Sequence, residues 1–397
     1  MEIAIIGGGA SGLMAAIAAR AEGCSVTIYE RCKRVGRKLL ATGNGRCNMT
    51  NTGACIDNYY GHNPEFIIPV TKMFWVRETM EFFNSLGVLC KTEQGGKVYP
   101  YSDTASSVLD VLRRETAANG VNTVCDFDVC SAKRTRKGFV LKSYNGQTAS
   151  ADRLIIAAGG KAAPDLGSNG SGYELLKSFG HSITELRPSL VQLKTEGDTA
   201  KRLKGIKLNA KLTAGNRTES GELLFTDYGL SGPPVFSLSA RVRTGDRILA
   251  DIMPEYTIEQ VENMLFERAA YLYNIPIEEF FTGMLNKRVG QAILKLCGCA
   301  PLSRTASELN SDEIRKIAST IKCWCFKISG TMSWNNAQVT KGGALTNEFD
   351  PHTMQSKLIE GLYACGEVLD IDGDCGGYNL QWAWSSGRIA GLSAARI

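Results

Sequence analysis

Glu2-Ile3-Ala4-Ile5-Ile6-Gly7-Gly8-Gly9-Ala10-Ser11-Gly12 opens the chain, and an alanine-rich run to Glu22 and Ser25-Val26-Thr27-Ile28-Tyr29-Glu30 follow it. The order reads as strand, glycine turn, helix, strand and terminal acid. The apolar run Ile3 to Ile6 suits a parallel strand buried on both faces. Gly7 permits a tight turn, Gly9 lets the backbone approach a pyrophosphate, and Gly12 lets the helix pack against the sheet. The helix N-terminus at Ala10 and Ser11 offers unpaired N–H groups and partial positive charge to phosphate oxygens. Glu30 lies 18 residues beyond Gly12, where a carboxylate accepts hydrogen bonds from an adenosine ribose and repels a 2′-phosphate. This stretch predicts a dinucleotide-binding α/β domain but does not separate NAD from FAD.

The next segment helps. Arg31, Lys33, Arg34, Arg37 and Lys38 follow Glu30, and then comes Ala41-Thr42-Gly43-Asn44-Gly45-Arg46-Cys47-Asn48. Residues 33 to 53 lack periodicity and read as a functional loop. Small residues and side-chain amides, among them Gly43, Asn44 and Asn48, suit a backbone passing close to a flat, polar ring edge. The basic cluster has no interleaved aromatics, so nucleic acid is not expected. Cys47 has no partner cysteine near it in sequence and reads as a non-catalytic thiol.

Farther on, 64 to 87 and 104 to 119 read as helices, and 121 to 149 as short strands around Phe139-Val140-Leu141. Leu154 to Ala158 reads as a buried strand running into Gly159-Gly160. The character changes near Pro188. Strands are expected at 190 to 193, 206 to 212, 223 to 226 and 248 to 252. Helices follow from Thr257, where Thr257 and Gln260 form a capping box, and again from Ser311-Asp312-Glu313. Strand character returns over 326 to 346. Near the end Gly366-Glu367-Val368-Leu369-Asp370 follows a strand, Gly373 to Tyr378 forms a glycine loop, and Asn379-Leu380-Gln381 opens a helix. Ala383, Gly387, Ala390, Gly391 and Ala394 give that helix a small-residue stripe for tight packing. Its N-terminus, beside Gly377, is expected to face a flavin, where preorganised N–H groups would favour the reduced, negatively charged ring.

The chain thus reads as leaving a first α/β domain near Pro188, building an inserted module of strands and then helices, and returning to that domain over its last fifty residues. No second glycine fingerprint appears, so NAD(P)H is expected to visit the flavin transiently.

Bulk composition agrees. The 397 residues exceed one typical core, and 44% hydrophobic with 21% charged residues is ordinary for a globular protein. A net charge of +5 does not by itself call for nucleic acid. No secretory signal or run long enough to span a membrane is visible, so a cytoplasmic protein is expected. Thirteen cysteines then read as reduced thiols, with the pairs Cys297/Cys299 and Cys323/Cys325 buried and structural rather than metal-binding. His62, His181 and His352 fit no catalytic or metal pattern and read as structural or exposed.

Gly36-Arg37-Lys38 with Thr42-Gly43-Asn44-Gly45-Arg46-Cys47-Asn48 resembles the signature of the bacterial BaiN/YhiN-type NAD(P)/FAD-dependent oxidoreductases. Phe225-Thr226, Gly229-Leu230-Ser231-Gly232-Pro233, Thr340-Lys341-Gly342-Gly343 and the stretch from Gly361 to Gly387 match further blocks. The resemblance implies a discontinuous Rossmann-like FAD-binding domain, 1–188 and 347–397, with a β-rich domain, 189–256 and 323–346, and a helical subdomain, 257–322, inserted into it. It also implies non-covalent FAD near Ala10, Ser11, Glu30, Arg37, Lys38, Asn44, Asn48, Asp370 and Leu380, with a main-chain contact from Val129 to the adenine. Ser171 stands where an acid is common in such proteins, which puts an acidic role there in doubt. Members are assigned to reducing conjugated C=C bonds of 3-oxo steroid or bile-acid intermediates, and others to amine oxidation.

The expected function is an NAD(P)H-dependent flavin reductase of an enone, acting on an apolar small molecule. Tyr228 and Tyr378, each in a glycine-flanked block, are the candidate proton donors. The alternatives are a peroxide-producing amine oxidase and a flavin-carrying RNA-binding or sensor protein.

Overall fold

The computed structural model describes residues 1–396 and divides into two compact units, Met1–Ser189 with Ser333 onward, and Leu190–Met332.

The first unit is built on a five-stranded sheet in the order Leu362–Ala364, Arg153–Ile156, Glu2–Ile6, Ser25–Tyr29, Asn122–Val124. All of its pairings are parallel, with Ile6 opposite both Tyr29 and Ile156. Strands covered on both faces must be apolar throughout, which is why Ile3, Ile5, Ile28, Leu154 and Ile155 are inaccessible to solvent. Parallel strands end on one edge, so the segments beginning at Gly7, Glu30, Ala157 and Cys365 all leave from that side.

The helices Ala10–Ala21 and Tyr378–Ala395 pack together on the sheet. Glycine makes their approach possible: a Cβ on Gly387 would strike the Ser11 carbonyl, and one on Gly391 the Ala15 carbonyl. The small-residue stripe read in the sequence is therefore a helix–helix seam. An antiparallel meander of Val129–Thr135, Gly138–Ser143 and Thr148–Ala151 matches the short strands expected at 121 to 149.

The second unit is a closed barrel of Leu193–Thr195, Gly229–Ser231, Arg217–Phe225, Lys207–Ala214, Arg247–Asp251 and Trp324–Thr331. Trp324, Phe326 and Ile328 alternate inward along the last strand, as a half-buried strand requires. Helices Ile258–Tyr271, Lys287–Leu296 and Ser311–Lys322 share this core, with Val261, Leu265, Ile293 and Ile317 buried beside barrel residues.

Several expectations need correction. Residues 257–322 do not have a core of their own, because one continuous cluster joins them to the barrel. The return to the first unit falls at Ser333 rather than 347, because Val339–Lys341 pairs antiparallel with Arg187–Ser189. The span 64 to 87 is two helices, Ile67–Met73 and Val76–Ser85. It breaks where Trp75 turns extended and its N–H donates to the Glu78 carboxylate in a new cap. The loop at 33 to 53 contains a short helix, Arg37–Ala41. Cys323 and Cys325 are exposed, because one ends a helix and the other lies on the outward face of its strand. The capping box formed as read, with Thr257 N–H donating to Gln260 Oε1 at 2.8 Å and Gln260 N–H to Thr257 Oγ1 at 3.3 Å.

Candidate functional site

The site grows from the sheet edge where the strands end. Gly12 packs so closely that a side chain there would collide with the Gly7 carbonyl, whereas the Cβ direction of Gly9 is open beyond 4 Å. The fingerprint thus has one glycine that closes the turn and one that leaves a clear approach to the helix N-terminus. Glu30, 9% exposed, already receives two backbone bonds: Gly8 N–H to Oε2 and Cys32 N–H to Oε1, both 2.8 Å. Each carboxylate oxygen keeps a lone pair, so the same group can fix the turn and still accept a hydroxyl.

The basic residues after Glu30 divide by role. Arg31 pairs with Asp128 at 3.3 Å, and Arg37 donates to the Asp165 carbonyl at 2.8 Å. Both line a cavity of about 560 Å³ with Lys33, Arg34, Asp126 and Pro164. Lys38 instead reaches the C-terminal part of the chain, pairing with Glu367 at 2.8 Å, while the other Glu367 oxygen accepts Thr340 N–H at 2.8 Å. Arg46 holds its own loop: it pairs with Glu93 and Asp103, each at 2.5 Å, over the ring of Tyr99. Those carboxylates raise its pKa further, so Arg46 is a permanent cationic brace.

The Thr42–Asn48 loop is held in left-handed conformations at Gly43, Asn44, Gly45 and Cys47. Asn44 is exposed. Asn48 is buried and its Oδ1 has no partner among the described residues, a cost a protein rarely bears without a ligand. Burial pushes the Cys47 thiol up to about 12, and the Cys365 thiol likewise to about 12, so neither supplies a thiolate near neutral pH.

The C-terminal part of the site meets this loop. A Cβ on Gly366 would lie 2.5 Å from Ser11 Oγ. Gly377, at φ 101, caps the Tyr378–Ala395 helix, and its Cβ position lies 2.9 Å from the orphaned Asn48 Oδ1. The helix then secures both loops: Trp382 Nε1 donates to the Gly366 carbonyl at 3.0 Å and Trp384 Nε1 to the Met49 carbonyl at 2.9 Å. Gly366 N–H donates to Ser386 Oγ, and Gln381 is bonded to Thr50, Thr79 and Ser385.

The other predicted residues fall as follows. The Asn379 side chain is committed to Gly373 and the Asp374 carbonyl, which leaves its main-chain N–H, not its amide, for a ligand. Leu380 is half-buried against the core. Asp370 is almost fully buried and bonded to His62. Val129 opens the meander at a bulge, and Gly159 turns the chain at φ 70. Ser171 begins a helix, with its N–H on Asn169 Oδ1. Tyr378 sits edge-on to Tyr59, whose hydroxyl donates to the Tyr378 carbonyl and whose pKa burial raises well above normal. Tyr228 belongs to the barrel unit, where its carbonyl accepts Thr195 N–H at 3.2 Å. The two candidate acids therefore lie in different units. Sequence patterns did not single out Tyr59, Trp382 or the pairing of His62 with Asp370. Only the Trp-Ala-Trp run inside the small-residue stripe was a visible signal.

An FAD fits these residues. The clear approach at Gly9, the carboxylate of Glu30, the unpaired carbonyl of Asn48 and the helix start at Gly377 supply, in turn, space, an acceptor, another acceptor and donors.

Fold and site together define a flavoprotein oxidoreductase of the Rossmann type. The chain belongs to the HI0933-like family: that family's Rossmann domain matches residues 1–393. It is 41% identical over 410 residues to the 3-dehydro-bile acid delta(4,6)-reductase of Clostridium scindens, covering 99% of both chains. It is 32% identical over 386 residues to the ribosomal RNA dihydrouridine synthase of Escherichia coli, covering 96% of this chain and 95% of that one. The fold is also shared with 3-ketosteroid delta1-dehydrogenase from Sterolibacterium denitrificans, at a TM-score of 0.50 and 13% identity over 99% of each chain. Among the described residues, no helix is long and apolar enough to cross a membrane.

Proposed function

We propose that this protein uses FAD to reduce a carbon–carbon double bond conjugated to a carbonyl, with NAD(P)H as electron donor and an apolar 3-oxo steroid-like molecule as acceptor. The observation that carries the reading is the pairing of the orphaned Asn48 carbonyl with the helix start at Gly377. An acceptor and a row of N–H donors converge from distant parts of the chain, as a ring with both donor and acceptor edges requires.

Bound FAD would supply the hydride chemistry. The residues of this chain hold and bias it. Glu30 anchors the adenosine half, Lys38 and Glu367 lock the two loops together, and the N–H groups after Gly377 stabilise negative charge on the reduced ring.

The relatives' names share one chemistry. A delta(4,6)-reductase of a 3-dehydro bile acid and a dihydrouridine synthase both saturate a C=C bond conjugated to C=O. That likeness supports the reaction class and favours a second acceptor, a uracil of ribosomal RNA. The deciding experiment mixes the FAD-loaded protein anaerobically with NADH or NADPH, then adds a 4,6-diene-3-oxo steroid or a uridine-containing ribosomal RNA fragment. Reoxidation by the steroid supports the first acceptor, and reoxidation by the RNA the second. Turnover only with an amine and oxygen, yielding peroxide, refutes the reductase.

A further inference from the structure

Three histidines occur in the chain, and they are not equivalent. His181 is buried against Phe349, with one ring nitrogen on Glu348 and the other on Ser356, so both are committed. His352 is exposed, with no ring partner among the described residues. His62 has one ring nitrogen held and the other reachable. Its Nδ1 lies 2.7 Å from Asp370 Oδ2, which also accepts the His62 backbone N–H at 3.0 Å. The imidazole is 68% exposed, while the Asp370 carboxylate is 2% exposed.

This pair is built into the fold. Asp372 and Gly373 pair antiparallel with Tyr60 and Tyr59, which aligns the segment before His62 with the segment after Asp370. Gly61 presses against the Asp370 carbonyl so closely that any side chain there would collide with it. A carboxylate on Nδ1 fixes that nitrogen as the donor and turns Nε2 outward, the arrangement that makes a histidine an oriented acid–base group. Asp370 lies within the segment that runs from Gly366, against Ser11, to Gly377, against Asn48, the two contacts that frame the flavin site. The other charged groups nearby are Asp374, which accepts from the Tyr60 hydroxyl at 2.8 Å, and Lys341, 6.0 Å from the Tyr60 ring centroid.

We propose that His62, oriented by Asp370, is the proton donor of the reduction. The inference rests on the enone-reductase reading above. FAD, once reduced by a nicotinamide, would supply the hydride that bonds to the β-carbon of the conjugated bond. The C=C electron pair moves onto the α-carbon, and the Nε2 proton of the imidazolium bonds to that carbon. The saturated carbonyl compound, oxidised flavin and neutral His62 remain, and solvent at the exposed ring returns the proton. The buried carboxylate on its Nδ1 and the exposed Nε2 assign this role to His62 in place of Tyr228 and Tyr378.

Two measurements test it. In imidazole ¹H–¹⁵N spectra, with only three histidines to assign, titrating FAD into the apoprotein should shift the His62 resonances and leave those of His352 in place. Asp370→Asn should change the His62 tautomer. Unmoved His62 resonances place it away from the flavin and overturn the proposal, whatever the substrate. In stopped flow, His62→Gln should slow reoxidation of reduced enzyme by the dienone steroid by roughly 10²–10⁴-fold relative to the NAD(P)H step and flatten its pH profile. An unchanged reoxidation rate and pH profile also overturns it. If wild type reduces no conjugated carbonyl compound, the enone-reductase reading falls and takes the proton-donor role with it. The FAD titration then still shows whether His62 borders the flavin.

Discussion

Gly377→Ala is the sharpest test of the claim that the C-terminal loop forms the flavin site. The glycine sits at φ 101, and a Cβ would lie 2.6 Å from the Thr50 carbonyl carbon and 2.9 Å from Asn48 Oδ1. The left-handed backbone costs a non-glycine residue about 1 kcal/mol. Pushing the Asn48–Thr50 segment aside costs about 1–3 kcal/mol more, because it is pinned through Trp384 and Gln381 and cannot relax freely. The sum, about 2–4 kcal/mol, corresponds to roughly 30- to 800-fold if it falls on FAD affinity alone. Fluorescence titration of apoprotein with FAD, with a thermal melt alongside, measures both parts. Gly391→Ala is the control, since its methyl would strike the Ala15 carbonyl in the same helix seam and should lower the melting temperature without weakening FAD binding to the folded chain. Gly377→Ala with wild-type melting and wild-type FAD affinity would mean that the C-terminal loop does not form the flavin site.

Glu30→Gln should weaken FAD binding by about 1.5–3 kcal/mol, because the amide has only one acceptor oxygen for the Gly8 and Cys32 N–H groups and the ribose; equilibrium dialysis of FAD checks it. A double-mutant cycle of Lys38→Met and Glu367→Gln should show a coupling of about 1 kcal/mol in FAD-loaded thermal stability, modest because both side chains keep some contact with water. Additive single effects would mean the pair does not join the loops. Burial lowers the pKa of His181, so an unfolded chain takes up a proton near about 6.5 that the folded protein resists. Stability from this group is therefore present above that pH and is lost as pH falls through it. Melting temperatures measured from pH 8 to 5 should fall less steeply in His181→Gln than in wild type.

The parts of the site that repeat local rules were legible in the sequence. Strand, glycine turn, helix and acid lie within thirty residues, and each is dictated by backbone geometry at that point. The capping box at Thr257 was legible for the same reason. What was not legible depends on partners distant in sequence. Arg46 reads as one more loop cation until Glu93 and Asp103 are folded beneath it, and Asn379 reads as a ligand until its amide closes on Gly373. The boundary at Ser333 is set by Thr340, whose hydroxyl accepts Lys161 and Ala162 N–H, a bond spanning about 180 residues that no local pattern announces. His62 looked unremarkable because its significance lies in a buried carboxylate 308 residues away.

The seam between Ser11 and Gly387 also has a consequence for how the protein comes into being. Ribosomes make residues in order, at roughly 5–20 per second. The segment from Gly366 emerges 336 residues after Glu30, so the fingerprint waits on the order of 15–70 seconds for its other half. Through that interval the first helix lacks the partner that covers Ser11 and Ala15, and the sheet lacks the strand Leu362–Ala364 at its edge. With the flavin site proposed above, uptake of the cofactor follows synthesis and waits for Trp382 and Trp384, which hold the Gly366 and Met49 carbonyls, rather than for the nucleotide motif that is made first.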